Sequence, residues 1–179
     1  MRQVLITGVH SYLGQSLRAF LAQWPEEFQV ESLSVRDGNW KEADFHGFDA
    51  IYHTAALVHM EQNKHDPDQA ALYDEVNGRL PVLLAEKAKA EGVSQFIFLS
   101  TMAVYGLTAP YGKTVSITAD TPLRPADNYG RSKLAAEQGL QALAGNGFSV
   151  AILRPPMIYG KGCKGNYVTM AKLAKKLPF

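Results

Sequence analysis

The chain has 179 residues, of which 46% are hydrophobic and 20% charged, a composition typical of a folded globular domain and not of a disordered one. Eighteen basic and seventeen acidic residues leave a formal charge of +1, which gives no electrostatic indication of a nucleic-acid surface or a polybasic membrane patch. The single cysteine, Cys163, excludes an internal disulfide, and no run approaches the roughly 18 apolar residues that span a bilayer, so we expect a cytoplasmic protein that binds neither membrane nor nucleic acid.

Apolar, β-rich runs alternate along the chain with segments of helical periodicity. Strands are predicted over residues 3–7, 30–35, 50–54, 95–100 and 149–153, and helices over residues 12–23, 68–91, 128–144 and 166–176. This alternation predicts an α/β fold, a doubly wound parallel sheet of the Rossmann type with helices on both faces.

Residues 7–14, TGVHSYLG, join the first predicted strand to the first predicted helix. The N–H groups at the start of such a helix form an anion site, as in dinucleotide-binding turns. Gly8 permits a tight turn there, and Gly14 permits close packing of helix on strand. Ser11 lies where the backbone approaches a pyrophosphate, so its side chain must turn away or donate its hydroxyl to a phosphate oxygen; we favour the hydroxyl contact. The alternative for the glycine pair is that it serves packing alone.

Pro81 lies four residues after Asn77, inside the predicted helix 68–91. Proline has no N–H, so the carbonyl of Asn77 loses its helical partner and is free to bind water or a ligand. A simple kink, or a helix that starts near Pro81, is the alternative.

Hydroxyl, phenol and ammonium groups occur near the ends of two later elements. Tyr129 and Lys133 are four residues apart on one face of the predicted helix 128–144, and a nearby ammonium is expected to lower the pKa of a tyrosine from about 10. Ser100 and Thr101 end the predicted strand 95–100, at the sheet edge where open α/β folds bind ligands. Together these groups predict a proton-transfer site, although the Tyr–Lys spacing alone also fits a solvated helix face.

Three motifs in this order, TGVHSYLG, STMAVYG at residues 100–106 and YGRSK at residues 129–133, resemble the extended short-chain dehydrogenase/reductase family. The resemblance is to its NAD-dependent epimerase/dehydratase branch, which acts on nucleotide sugars. IYHTAA at residues 51–56, VN at residues 76–77 and LRPPMIYG at residues 153–160 are similar to further family segments. The resemblance covers essentially the whole chain.

The resemblance implies an active site of Thr101, Tyr129, Lys133 and Asn77. Tyr129 would remove a proton from a substrate hydroxyl while the carbon's hydride passes to nicotinamide, Thr101 would orient the oxygen, and Lys133 would hold Tyr129 and the nicotinamide ribose. The implied cofactor is NAD, with NADP possible. The predicted cofactor-binding residues are Gly8, Ser11, Tyr12, Leu13, Gly14, Arg36, Asp37, His53, Ala55, Ala56, Ser100 and Pro155.

The chain departs from the family pattern in its length. Only about forty residues separate Gly14 from His53, so one βα unit is expected to be missing. Adenosine contacts then fall at the end of a single strand, where Asp37 would favour NAD and Arg36 would favour NADP, unless both are solvated loop charges. We expect residues 1–179 to form the NAD(P)-binding domain, with the start of a C-terminal substrate region from about residue 160 and most of that lobe absent.

Two substitutions bear on the reaction. Met102 and Ala103 stand where the family's 4,6-dehydratases carry Asp-Glu, which disfavours dehydration, and Met157 replaces a common substrate-binding asparagine. We expect a nucleotide-sugar epimerase similar to UDP-glucose 4-epimerase; the alternatives are an NADP-dependent carbonyl reductase and a non-catalytic dinucleotide-binding redox sensor. The five histidines show no metal-ligand spacing, so no metal site is predicted. The family also implies a homodimer through helices such as 68–91 and 128–144.

Overall fold

The computed structural model describes residues 1–58, 67–163 and 166–176. Strands and helices alternate along it as the sequence predicts. The strands are β1 (Arg2–Thr7), β2 (Phe28–Leu33), β3 (Ala50–His53), β4 (Gln95–Leu99) and β5 (Ser149–Leu153). The helices are α1 (Tyr12–Leu21), α2 (Pro67–Tyr73), α3 (Leu80–Ala90), α4 (Asn128–Leu143) and α5 (Asn166–Ala174).

The five strands form one sheet in the order β2-β1-β3-β4-β5, and every neighbouring pair is parallel. The register pairs Thr7 with both Leu33 and His53, so three strands end together. After β1 the chain moves outward to β2 and then returns to β3 on the other side of β1. This reversal creates the crevice at which open α/β sheets bind ligands.

Apolar side chains pack on both faces of the sheet, which confirms the predicted doubly wound architecture. On one face, Ile51, Phe96 and Phe98 join a core with residues of α3 and α4; on the other, Val4, Ile6 and Tyr52 pack with Leu17 of α1. The apolar alternation along the strands therefore serves two layers of helices.

The connection between β2 and β3 holds only a short 3₁₀ turn, Asn39–Lys41, where a further helix and strand were expected to be missing. Trp40 and Phe45 from this connection are buried in the larger core. The same core contains Leu5 of β1 and Ile51 of β3, so this connection contributes apolar side chains to the core despite its short length.

The predicted helix 68–91 is not one regular α-helix. A π-helical segment, Asp74–Arg79, separates α2 from α3, and the N–H of Leu80 donates to the carbonyl of Glu75, five residues back. Pro81 lies in the first turn of α3, where a missing N–H costs little. The interpretation that a helix starts near Pro81 is thus confirmed. None of the helices in the described ranges is long and apolar enough to cross a membrane.

Candidate active site

The glycine turn after β1 is held by a residue of the neighbouring strand connection. Gly8 has a φ of +100°, and a Cβ there would lie 2.7 Å from the Ala55 nitrogen; a Cβ on Gly14 would lie 2.9 Å from Thr54 Oγ1. Thr54 Oγ1 in turn donates to the Thr7 carbonyl at 2.8 Å. Both glycines therefore have the predicted turn and packing roles, and Thr54 is the unpredicted residue that supports them.

Ser11 is the N-cap of α1. Its Oγ accepts a hydrogen bond from the Gly14 N–H at 3.3 Å, and its own N–H donates to the Gly8 carbonyl at 2.8 Å. Serine is among the best N-cap residues, a signal in the sequence that explains why this position is not a third glycine. The hydroxyl proton stays available as a donor. The N–H groups of Tyr12 and Leu13 lack intrahelical partners because they begin the helix.

The segment after β5 returns to this turn. A Cβ added to Gly160 would lie 2.5 Å from the Tyr12 hydroxyl, and Gly160 has a φ of +143°. Two predicted elements of the site, the glycine turn and the LRPPMIYG segment, are therefore in direct contact.

Thr101 and Tyr129 meet at the carboxyl end of β4. The Thr101 side chain lies close enough to the Tyr129 phenol to lower its pKa, and Thr101 Oγ1 accepts from the Ala103 N–H at 3.1 Å. Close approach of α4 to this turn requires Gly130, since a Cβ there would lie 2.8 Å from the Ala103 carbonyl oxygen. The structure thus brings together the hydroxyl and phenol that the sequence predicts as partners.

The electrostatic surroundings of Tyr129 differ from the prediction. Burial raises the pKa of Tyr129, the nearby Thr101 side chain opposes this, and Asp127 and Tyr73 raise it further. The prediction that Lys133 lowers the pKa of Tyr129 is wrong, because this pKa is raised. Lys133 is 1% exposed, and its Nζ instead donates to the Leu99 carbonyl at 3.0 Å.

Lys133 is an unusual lysine. Its Nζ lies 4.6 Å from the centre of the Phe98 ring, on the inner side of the sheet edge. Burial lowers the pKa of Lys133 to about 7, although the nearby Glu137 carboxylate raises it. The ammonium therefore loses its proton near neutral pH.

Tyr73 is an unpredicted neighbour of this pair. It is 1% exposed, its ring lies edge-on to that of Tyr129 with centroids 6.2 Å apart, and its hydroxyl has no hydrogen-bond partner in the described part of the chain. A buried donor without a partner costs stability.

His53 and Ser100 lie beneath the sheet edge instead of on it. His53 is completely buried against Phe96 and Phe98, and its Nδ1 lies 2.6 Å from Thr7 Oγ1. Burial lowers the pKa of His53 to about 3, so the ring is neutral. The Ser100 hydroxyl is buried and donates to Glu137. Both side chains are therefore buried beneath the crevice, and their assignment to the cofactor site stays a prediction.

Asn77 is also fully buried. Its Oδ1 accepts from the Leu57 N–H at 2.8 Å and its Nδ2 donates to the Leu57 carbonyl at 2.9 Å. The side chain therefore fixes the connection after β3, and its catalytic role stays a prediction.

The remaining predicted cofactor residues lie around the crevice. Arg36 and Asp37 are exposed just beyond β2, whose last carbonyl, that of Leu33, accepts from the Gly8 N–H at 3.2 Å. Three further residues are half-buried at the ends of β3 and β5: Ala55, Ala56 and Pro155.

A buried ion pair behind the site was not predicted. The Arg154 guanidinium binds the Glu137 carboxylate, with Nη2 2.6 Å from Oε2, and Arg154 Nη1 donates to the Tyr105 hydroxyl at 2.7 Å. The sequence held one indication that Glu137 faces the same side as the site, because it lies one helical turn beyond Lys133 on the same face of α4.

A second group of charged residues lies away from this site. One ligand atom each from Asp44, His46 and Glu91 lies within 4.8 Å of the others, although the sequence spacing did not indicate it. Lys87 pairs with Glu91, and the Phe45 N–H donates to the same carboxylate at 2.6 Å. These contacts assign Glu91 to an ion pair, and the group gives no reason to infer a metal site.

Comparisons with known proteins identify relatives of this arrangement. A family model described as NAD dependent epimerase/dehydratase family matches residues 4–177. UDP-glucose 4-epimerase of Vibrio cholerae is 37% identical over 133 residues, which cover 72% of this chain and 40% of the relative.

Two solved structures have a similar fold. MoeE5 in complex with UDP-glucose and NAD superposes with a TM-score of 0.68 at 25% identity, covering 85% of this chain and 53% of that one. A dTDP-4-dehydrorhamnose reductase from Bacillus anthracis in complex with NADP shares the fold, with a TM-score of 0.75 at 23% identity over 99% of this chain and 61% of that one. The chain thus spans two fifths of the length of the curated relative and somewhat over half of each solved chain.

Proposed function

The chain belongs to the NAD-dependent epimerase/dehydratase family, and from this premise we propose that it is an NAD-dependent epimerase of nucleotide sugars, similar to UDP-glucose 4-epimerase. The observation that carries the proposal is the close approach of the start of α4 to the turn after β4, which places the Tyr129 phenol beside the Thr101 side chain. A phenol beside a hydroxyl at this edge is placed to exchange a proton with a substrate alcohol.

The residues of the crevice fit a dinucleotide. A side chain at Gly8 would collide with the Ala55 backbone, so the turn must stay open, as close approach of a diphosphate requires. The N–H groups of Tyr12 and Leu13 and the Ser11 hydroxyl would hold the diphosphate. Asp37 would accept from the ribose of NAD, whereas Arg36 would favour a 2′-phosphate. When bound, NAD supplies reversible two-electron oxidation of the substrate carbon.

Two side chains of this chain would carry out the proton transfer. Tyr129 takes the proton of the substrate hydroxyl and later returns it, and the Thr101 hydroxyl orients that oxygen. Burial raises the pKa of Tyr129, which favours the protonated phenol before substrate binds. We assign Lys133, on the next turn of α4, to the nicotinamide ribose.

The turn after Thr101 supports epimerisation over dehydration. Met102 and Ala103 at this turn have no ionisable group, whereas elimination of water needs an acid and a base. An NADP-dependent carbonyl reductase is the second candidate, because the exposed Arg36 could pair with the phosphate of NADP.

Two measurements test the proposal. Mass spectrometry of the nucleotide released on denaturation is expected to find NAD⁺ or NADH; NADPH would favour the reductase. Interconversion of UDP-glucose and UDP-galactose is then followed in wild type, Tyr129→Phe and the control Tyr111→Phe, an exposed loop residue. Turnover is expected to fall roughly 10²-fold or more in Tyr129→Phe with nucleotide binding retained. Unchanged turnover in Tyr129→Phe would refute the assignment.

A further inference from the structure

Thr101 is held in place through its two neighbours. The Ser100 N–H donates to the Leu153 carbonyl at 2.7 Å, and the Met102 N–H donates to the Pro155 carbonyl at 3.3 Å. These two carbonyls flank Arg154. The backbone position of Thr101 is therefore tied to the backbone position of Arg154.

The Arg154 side chain connects this point to α4. Its Nε lies 3.0 Å from Glu137 Oε1 and 3.2 Å from Oε2, and its Nη2 lies 2.6 Å from Oε2. Glu137 is 1% exposed and also accepts from the Ser100 hydroxyl. A guanidinium that meets a carboxylate side-on through Nε and Nη2 fixes direction as well as distance.

A third contact reaches the turn that follows Thr101. Arg154 Nη1 donates to the Tyr105 hydroxyl at 2.7 Å, and the guanidinium carbon lies 5.1 Å from the centre of the Tyr105 ring. Tyr105 ends the 3₁₀ turn, Met102–Tyr105, for which Thr101 is the N-cap. Arg154 thus contacts both ends of the connection that carries Thr101.

We propose that Arg154 and Glu137 are positioning residues that hold Thr101 beside Tyr129. Tyr129 lies on the same helix as Glu137, two turns earlier, so the ion pair fixes α4 and its phenol relative to the ends of β4 and β5. The expected effect on turnover rests on the proposed function, whereas the expected effect on the distance between Thr101 and Tyr129 does not. A buried ion pair contributes little net stability, which is consistent with a role in alignment.

Arg154→Lys tests the proposal because it keeps the positive charge and removes the two-point contact of Nε and Nη2 with the Glu137 carboxylate. We expect kcat to fall roughly 10-fold to 100-fold, since misplacement by about 1 Å can cost 10²-fold. KM and the affinity for the nucleotide should stay within about 2-fold, because neither residue touches the glycine turn. Arg18→Lys, on the exposed side of α1, is the matched control.

A crystal structure of Arg154→Lys gives a readout that needs no turnover. The separation of Thr101 Oγ1 and Tyr129 Oη is expected to exceed that in the wild-type crystal structure by about 1 Å. If wild type proves inactive on nucleotide sugars, the proposed function fails while this separation still decides the inference.

Tyr105→Phe is the second variant, for the case that Arg154→Lys does not fold. It removes one hydrogen bond and keeps the ring, and Tyr111→Phe is its control. We expect a smaller fall in kcat, roughly 3-fold to 10-fold, at constant KM. An unchanged Thr101–Tyr129 separation with unchanged kcat, or a loss of turnover that only follows the unfolded fraction, would overturn the inference.

Discussion

Replacement of Lys133 by Met should stabilise the protein, by an amount that depends on pH. The ordinary pKa of lysine is 10.5 and burial lowers that of Lys133 to about 7. At about 1.4 kcal/mol per pKa unit, this difference means that burying the protonated Lys133 side chain lowers the free energy of unfolding by about 5 kcal/mol. Methionine has a similar length and carries no charge, so it removes this cost.

The sign of the pH dependence follows from the lowered pKa. Between pH 7 and 10.5 the unfolded chain binds the Lys133 proton and the folded chain does not, so wild type gains stability as pH rises through this window. The advantage of Lys133→Met should therefore be about 5 kcal/mol near pH 6 and about 2 kcal/mol near pH 9. Loss of the hydrogen bond to Leu99 subtracts roughly 1–2 kcal/mol at every pH.

Urea unfolding of both proteins at several pH values measures this difference. The free-energy gap between variant and wild type is expected to shrink by about 3 kcal/mol from pH 6 to pH 9. Lys113→Met, in the exposed loop, should show no such change. A gap that stays constant with pH would refute the buried, readily deprotonated state of Lys133.

Three further predictions concern stability. Tyr73→Phe should raise the free energy of unfolding by roughly 1 kcal/mol, because it removes a buried hydroxyl without a partner and keeps the ring; a decrease in urea unfolding would contradict this. Gly106→Ala should cost well over 1 kcal/mol more than Gly112→Ala, since both glycines have positive φ but a Cβ at Gly106 would lie 1.9 Å from the Arg124 carbonyl oxygen; equal thermal shifts would refute the steric argument. His53→Phe should flatten the loss of stability between about pH 6.5 and 3, because the pKa of His53 is lowered to about 3 and only the unfolded chain takes up its proton in that range; acid titrations of both proteins check this.

Local patterns were sufficient for the sheet and for part of the site. Apolar runs located the five strands, and the glycines at positions 8 and 14 marked the turn because their need is steric and local. Thr101 and Tyr129 could be paired because strand ends and helix starts of a parallel sheet meet at one edge. The N-cap role of Ser11 was also within reach of the sequence, from its position before a helix.

Other features depend on burial, which a sequence pattern does not contain. The four-residue spacing of Tyr129 and Lys133 also fits a solvated helix face, yet the Lys133 side chain is buried and donates to the Leu99 carbonyl at the end of β4. Glu137 and Arg154 are each unremarkable in the sequence, and their pairing requires that β5 lie beside β4. The contact of Asn77 in the π-helical segment with Leu57 likewise joins residues twenty positions apart.

The parallel order of the sheet also determines when the contacts of Arg154 can form during synthesis. No strand pairs with its neighbour in the described chain through a hairpin, and β4 finds its outer partner only when Ser149 comes opposite Gln95. A nascent chain released by the ribosome as far as α4 already contains the glycine turn, Thr101 and Tyr129, but not Arg154. The contacts of Arg154 with Glu137 and Tyr105 can therefore form only after the fifth strand has emerged.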